Sequence, residues 1–125
     1  MSAFIVELPN SPGSLAMLSE AVAERGINIT GAAGATAGQV GSMAFTTDDD
    51  AATRTVLGER GWVYREVAVV TARVEDKPGT LAAAARRLAD AGVNIETMFL
   101  AGMDGSKVRI AFGVDNAEAA GRALG

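Results

Sequence analysis

Apolar and polar residues alternate from Val67 to Val74, with Val70, Ala72 and Val74 set against Thr71, Arg73 and Glu75. A period of two predicts a strand with one buried face. Ala3 to Leu8 is a second β-rich run. Each run leads into a proline-glycine pair, Pro12-Gly13 or Pro78-Gly79, and after it the period changes. Leu15, Leu18 and Val22 in one segment, and Leu81, Ala84, Ala85 and Leu88 in the other, recur at helical spacing and predict a helix with one buried stripe. The other face carries Glu20, Glu24 and Arg25, or Arg86, Arg87 and Asp90. Gly26 and Gly92 follow where a helix C-terminus favours a left-handed residue.

A second strand is expected from Ile27 or Val93. It turns back through a hairpin, glycine-rich from Gly34 to Gly41 in the first segment and marked by Asp104-Gly105 in the second; Asp-Gly is a favoured tight-turn pair. Met43 to Thr47 and Lys107 to Val114 read as third strands. Second helices are expected near Asp48–Asp50 and Asp115–Asn116, whose side chains suit N-caps. Trp62 to Glu66 reads as a fourth strand, with Trp62 and Tyr64 on one side of it as interface or core residues. No such strand follows the last helix, since the sequence stops at Gly125.

The two segments are copies of each other. Shifted by 66 positions, the stretch Pro12 to Thr30 matches Pro78 to Glu96 at Pro, Gly, Leu, Ala, Ala, Gly, Asn and Ile. One inserted residue later the match resumes at Ala44-Phe45 with Ala111-Phe112, Asp48 with Asp115, and Leu57-Gly58 with Leu124-Gly125. A repeat over nearly the whole chain makes each copy one folding unit. The units are 1–66 and 67–125. The expected fold class is α+β: two ferredoxin-like βαββαβ units in tandem, the second lacking its last strand.

Composition narrows the function. The 125 residues include no cysteine and no histidine, and the net charge is −4. Without histidine there is no Ser-His-Asp or Cys-His nucleophilic site, and the commonest transition-metal ligand is missing. Lysine and arginine are scattered, which argues against nucleic acid as a direct partner. Gly31 to Thr47 is too interrupted by glycine and polar residues to span a bilayer. No basic stretch precedes an apolar one at the N-terminus, so no signal peptide is expected; a cytoplasmic location fits, as does the lack of cysteine. The glycine-rich stretch Gly31 to Gly41 lacks the Gly-Lys-Ser/Thr ending of a phosphate loop. Asp48-Asp49-Asp50 reads as an acidic first turn of a helix rather than a metal site. No catalytic residue, metal site or cofactor is expected.

At Pro12-Gly13-x-Leu15 with Gly26-x-Asn28-Ile29, and again at Pro78-Gly79-x-Leu81 with Gly92-x-Asn94-Ile95, the chain resembles the ACT domain family in both units. The resemblance implies a regulatory module that binds an amino acid at the loops between first strand and first helix and at interfaces between units. A helix N-terminus offers unpaired N–H groups and partial positive charge to a carboxylate. Gly13 and Gly79, with no Cβ, would let a ligand approach their backbone. Asn28 and Asn94 both donate and accept. Asp76 would pair with a ligand ammonium, whereas its counterpart Asn10 is neutral. The expected ligand contacts are therefore Asn10, Ser11, Gly13, Ser14, Leu15 and Asn28 in the first unit, and Asp76, Lys77, Gly79, Thr80, Leu81 and Asn94 in the second. A homodimer is expected, because Val67 to Val74 lacks a fourth strand beside it and an uncovered edge invites pairing. The alternative function is an interaction module or regulatory subunit of a separate amino-acid-metabolism enzyme, with no ligand of its own.

Overall fold

A computed structural model describes residues 1–125. It divides into an N-terminal unit, Ser2–Glu66, and a C-terminal unit, Val67–Gly125 with Met1. The N-terminal unit contains β1 (Ser2–Pro9), α1 (Ser14–Glu24), β2 (Ile29–Ala37), β3 (Val40–Thr47), α2 (Asp50–Glu59) and the start of β4 (Tyr64–Glu75). The rest of β4 opens the C-terminal unit, followed by α3 (Thr80–Asp90), β5 (Ile95–Asp104), β6 (Lys107–Val114) and α4 (Ala117–Leu124). The class is α+β, a βαββαβ unit followed by one without its last strand. No helix is long and apolar enough to cross a membrane.

In the N-terminal unit the strand order is β2-β3-β1-β4. β1 and β3 are antiparallel, with Phe4 opposite Phe45 and Pro9 opposite Val40. Phe4, Val6 and Leu8 from β1 and Met43 and Phe45 from β3 meet Leu18, Ala21 and Val22 of α1 and Val56 and Leu57 of α2. Trp62 and Tyr64 pack on the same core, with the Tyr64 ring 6.2 Å from that of Phe4. In the C-terminal unit the order is β4-β6-β5. Val108, Ile110, Phe112 and Val114 line up with Ala84 and Leu88 of α3 and Ala120 of α4, and Val70, Ala72 and Val74 pack against them.

The repeated glycines and acids each have a local reason. α1 ends with Gly26 at φ 69°; its N–H donates to Ala23 O at 2.9 Å, and Ile27 N–H donates to Val22 O at 3.3 Å. α3 ends likewise: Gly92, at φ 73°, donates to Ala89 O and Val93 to Leu88 O. These paired bonds form the Schellman closure, which needs a left-handed residue at this position. Asp49 caps α2 by accepting from Ala52 N–H at 3.0 Å, and Asn116 caps α4 by accepting from Ala119 N–H at 3.0 Å. The other two aspartates of the run are used as well. Asp48 Oδ1 accepts from Asn28 N–H at 2.9 Å, and Asp50 Oδ2 accepts from Ser2 N–H at 3.1 Å.

Two expectations change. The glycine-rich hairpin is nearly all strand: β2 runs to Ala37, and the turn is confined to Gly38-Gln39. Small residues do not prevent strand pairing, because the backbone ladder with β3 supplies the bonds. The edge at Val67 to Val74 is also less open than its sequence implies. Val69 N–H donates to Met1 O at 3.0 Å, so the chain's own N-terminus covers part of it.

Candidate functional site

A cavity of about 510 Å³ lies in the N-terminal unit between the end of β1, the start of α1 and the upper parts of β2 and β3. Leu8, Pro9, Asn10 and Ser11 come from β1 and its loop, and Ser14 and Leu15 from α1. Ala32 to Thr36 come from β2, and Gly41, Ser42 and Met43 from β3. None of these side chains is charged.

The loop is set by Gly13. At φ 90° it is left-handed, and it begins α1 without a side-chain cap. The loop instead holds itself together. Ser11 N–H donates to Pro9 O at 2.9 Å, Met17 N–H donates to Gly13 O at 2.9 Å, and the Ser11 and Ser14 hydroxyls lie 3.2 Å apart. Asn10 ties the loop to the β2–β3 turn: its backbone N–H donates to Gln39 O at 3.0 Å and its Nδ2 to Gly38 O at 2.8 Å. With Nδ2 donating to a carbonyl, the amide orientation is assigned and Oδ1 is the acceptor. The start of α1 thus lines the cavity together with Asn10, Ser11 and Ser14 as polar residues and Leu8, Leu15 and Met43 as apolar ones. This combination suits a carboxylate beside a donor group, joined to an apolar body.

Of the expected residues, Asn10, Ser11, Ser14 and Leu15 line the cavity. Gly13 shapes the loop between them in a left-handed conformation, and a Cβ built on it would meet no protein atom within 4 Å. Asn28 is not brought to these residues. β1 ends at Pro9 opposite Val40, whereas β2 begins at Ile29 opposite Thr47, at the far end of β3. There the Asn28 backbone pairs with Asp48, its N–H at 2.9 Å from Oδ1 and its O at 3.1 Å from Asp48 N. Asn94 and Asp115 repeat the arrangement at 2.9 and 3.2 Å. The Asn94 side chain donates to Glu96 Oε1 at 3.1 Å.

In the C-terminal unit Asp76, Lys77 and Gly79 are exposed, and Gly79 has φ 91°. The Thr80 hydroxyl lies 2.7 Å from Glu75 O and 3.1 Å from Lys77 O, so it closes the loop on itself. Leu81 is partly open to solvent. The wall from Ala32 to Met43 was not among the expected contacts. Its signal in the sequence is the long uncharged run of alanine and glycine, which leaves room where larger side chains would fill it.

Away from the cavity, the Glu66 carboxylate accepts from Arg54 Nε at 2.6 Å and from the Ser2 hydroxyl at 2.7 Å. The hydrogen bond from Arg54 holds Glu66 below the usual carboxylate range, against a smaller opposing effect of burial. The same bond raises the Arg54 guanidinium.

The family model for the ACT domain matches residues 68–123. No curated protein matches the chain by sequence. Among solved structures, a Bacteroides thetaiotaomicron protein is similar at 21% identity and TM-score 0.80, over 98% of this chain and 85% of that one. The regulatory subunit of aspartate kinase from Thermus thermophilus, in its ligand-free form, is similar at 24% identity and TM-score 0.70, over 98% and 88%. The corresponding subunit from Thermus flavus is similar at 26% identity and TM-score 0.69, over 98% and 88%. The chain therefore carries an ACT domain at residues 68–123, within a two-unit ferredoxin-like fold.

Proposed function

We propose that the chain is a tandem ACT regulatory module that binds an amino acid, catalyses nothing itself and acts on a separate enzyme or regulator. The observation that carries this reading is the cavity at the start of α1. It has the volume of a small-molecule site, and it is lined by the start of a helix without a side-chain cap together with apolar residues. The likeness to aspartate kinase regulatory subunits supports a regulatory rather than a catalytic role. In this reading Ser11 and Ser14, with the α1 N-terminus, hold the ligand carboxylate, and Asn10 Oδ1 accepts from its ammonium.

The second reading is an interaction module without a ligand. It is favoured by Leu15 and Met17, which stand 56% and 61% exposed on α1. A thermal-shift screen of the twenty amino acids separates the two. A ligand that binds only the folded state stabilises it by about 2.7 kcal/mol at roughly 100 times its Kd. A raised Tm with one or a few amino acids supports the module; a flat response at millimolar concentration for all twenty sinks it in favour of the interaction reading. The chain is further proposed to be a cytoplasmic homodimer, so light scattering at micromolar concentration should give twice the chain mass.

A further inference from the structure

The two units share a fold but not the space beneath their second strands. In the N-terminal unit Ala32 lies opposite Phe45 and Gly34 opposite Met43. In the C-terminal unit Met98 lies opposite Phe112 and Leu100 opposite Ile110. Met98 and Leu100 thus hold the positions of Ala32 and Gly34. Val108 holds that of Gly41, since Gly41 pairs with Leu8 and Val108 with Val74. Three small residues correspond to three large ones. Met98 and Val108 are drawn into the C-terminal core, and Leu100, 65% exposed, projects from the position that Gly34 leaves empty. Ala32, Gly34 and Gly41 all line the cavity of the N-terminal unit.

We infer that ligand recognition is confined to the N-terminal unit, with one site per chain, and that the site takes an amino acid with an uncharged, apolar side chain. The inference rests on the reading of the cavity as an amino-acid site. Its first half follows from the substitution of large for small residues between the repeats. Its second half follows from the lining. Leu8, Leu15 and Met43 give an aliphatic or aromatic side chain apolar surface to cover, and burial of that surface favours binding. A lysine, arginine, aspartate or glutamate side chain would shed its hydration among residues that carry no opposite charge.

Titration calorimetry on the full chain tests both halves, with leucine, isoleucine, methionine and phenylalanine against lysine, arginine, aspartate and glutamate as free amino acids. The expected result is one ligand per chain, with the charged set at least about tenfold weaker. Gly34→Leu and Ala32→Met carry the residues of the C-terminal unit into the cavity. A Cβ at Gly34 would meet Ser42 O at 3.5 Å, an ordinary contact, so the strand accepts a side chain there. Both variants should keep or raise the Tm and lose at least about tenfold in affinity. Met98→Ala should leave affinity unchanged. Two ligands per chain, lysine binding as tightly as leucine, or a loss from Met98→Ala as large as that from Gly34→Leu would overturn the inference while leaving the amino-acid reading intact. If the wild-type chain binds none of the eight, the inference fails; the amino-acid reading fails with it only if the other twelve also leave the Tm unchanged.

Discussion

Replacing Gly13 with alanine isolates the backbone's contribution to the loop that frames the cavity. Gly13 sits at φ 90°, ψ −8°. A Cβ there would meet nothing within 4 Å, so no packing is lost or gained. What remains is the left-handed conformation, which costs an L-residue about 1–2 kcal/mol. Alanine also narrows the unfolded ensemble, which returns roughly 0.4–1 kcal/mol. The net expectation is a loss of about 1 kcal/mol, or roughly a fivefold fall in the folded-to-unfolded ratio. Gly121 in α4 is the matched control. A Cβ there also meets nothing within 4 Å, but the residue is helical. Gly121→Ala should therefore stabilise, by up to about 0.8–1 kcal/mol. Urea titration followed by helical circular dichroism reads both variants against the wild type. Opposite signs are expected for the same substitution in the same empty surroundings. If Gly13→Ala were as stable as the wild type, the loop would be relaxing to another conformation, and the left-handed N-cap would not be what builds the cavity mouth.

Four further outcomes are expected. Leu88, fully buried in the C-terminal core, should cost about 2–5 kcal/mol as Leu88→Ala in denaturant melts. Leu81→Ala, at a partly exposed position, should change stability by no more than about 1 kcal/mol. Asp48→Ala and Asp115→Ala each remove the acceptor of an asparagine backbone N–H, and each should cost about 1 kcal/mol; a silent variant would mean that water replaces the carboxylate without loss. Because Glu66 is held below its ordinary value of 4.5, its contribution is complete above that pH and is lost as pH falls through the lowered folded value. The acid limb of a pH–stability profile should accordingly flatten in Glu66→Gln, while the neutral-pH Tm drops.

Much of the architecture was legible because it depends on local chemistry. The two-residue period of Val67 to Val74 and the three-four spacing of Leu81, Ala84, Ala85 and Leu88 match β4 and α3. Gly26 and Gly92 are left-handed helix terminators, and Asp49 and Asn116 are N-caps; such roles need only neighbours within a few residues. Asn28 shows where that legibility ends. Its recurrence as Asn94 marked it as important, yet its backbone bonds to an aspartate about twenty residues onward, at the end of the sheet away from the Pro-Gly loop. A repeat records that a position is constrained, not which partner constrains it.

The sequence by itself determined the element order, the tandem repeat, the Pro-Gly turns and the chemistry that is missing for want of histidine and cysteine. Each depends on residue type and short-range spacing. Only the tertiary structure decided where the open volume lies. It drew Asn10, Ser11, Ser14 and Leu15 together with an alanine-glycine wall from β2 and β3, residues up to 35 positions apart from Leu8 to Met43. It also turned Asn10 onto Gly38 and placed Met98 and Leu100 where Ala32 and Gly34 leave room. A cavity is the space that side chains from several strands and a helix fail to fill. It emerges only when their registers are set, because a one-residue slip in any strand would turn its small residues to the other face.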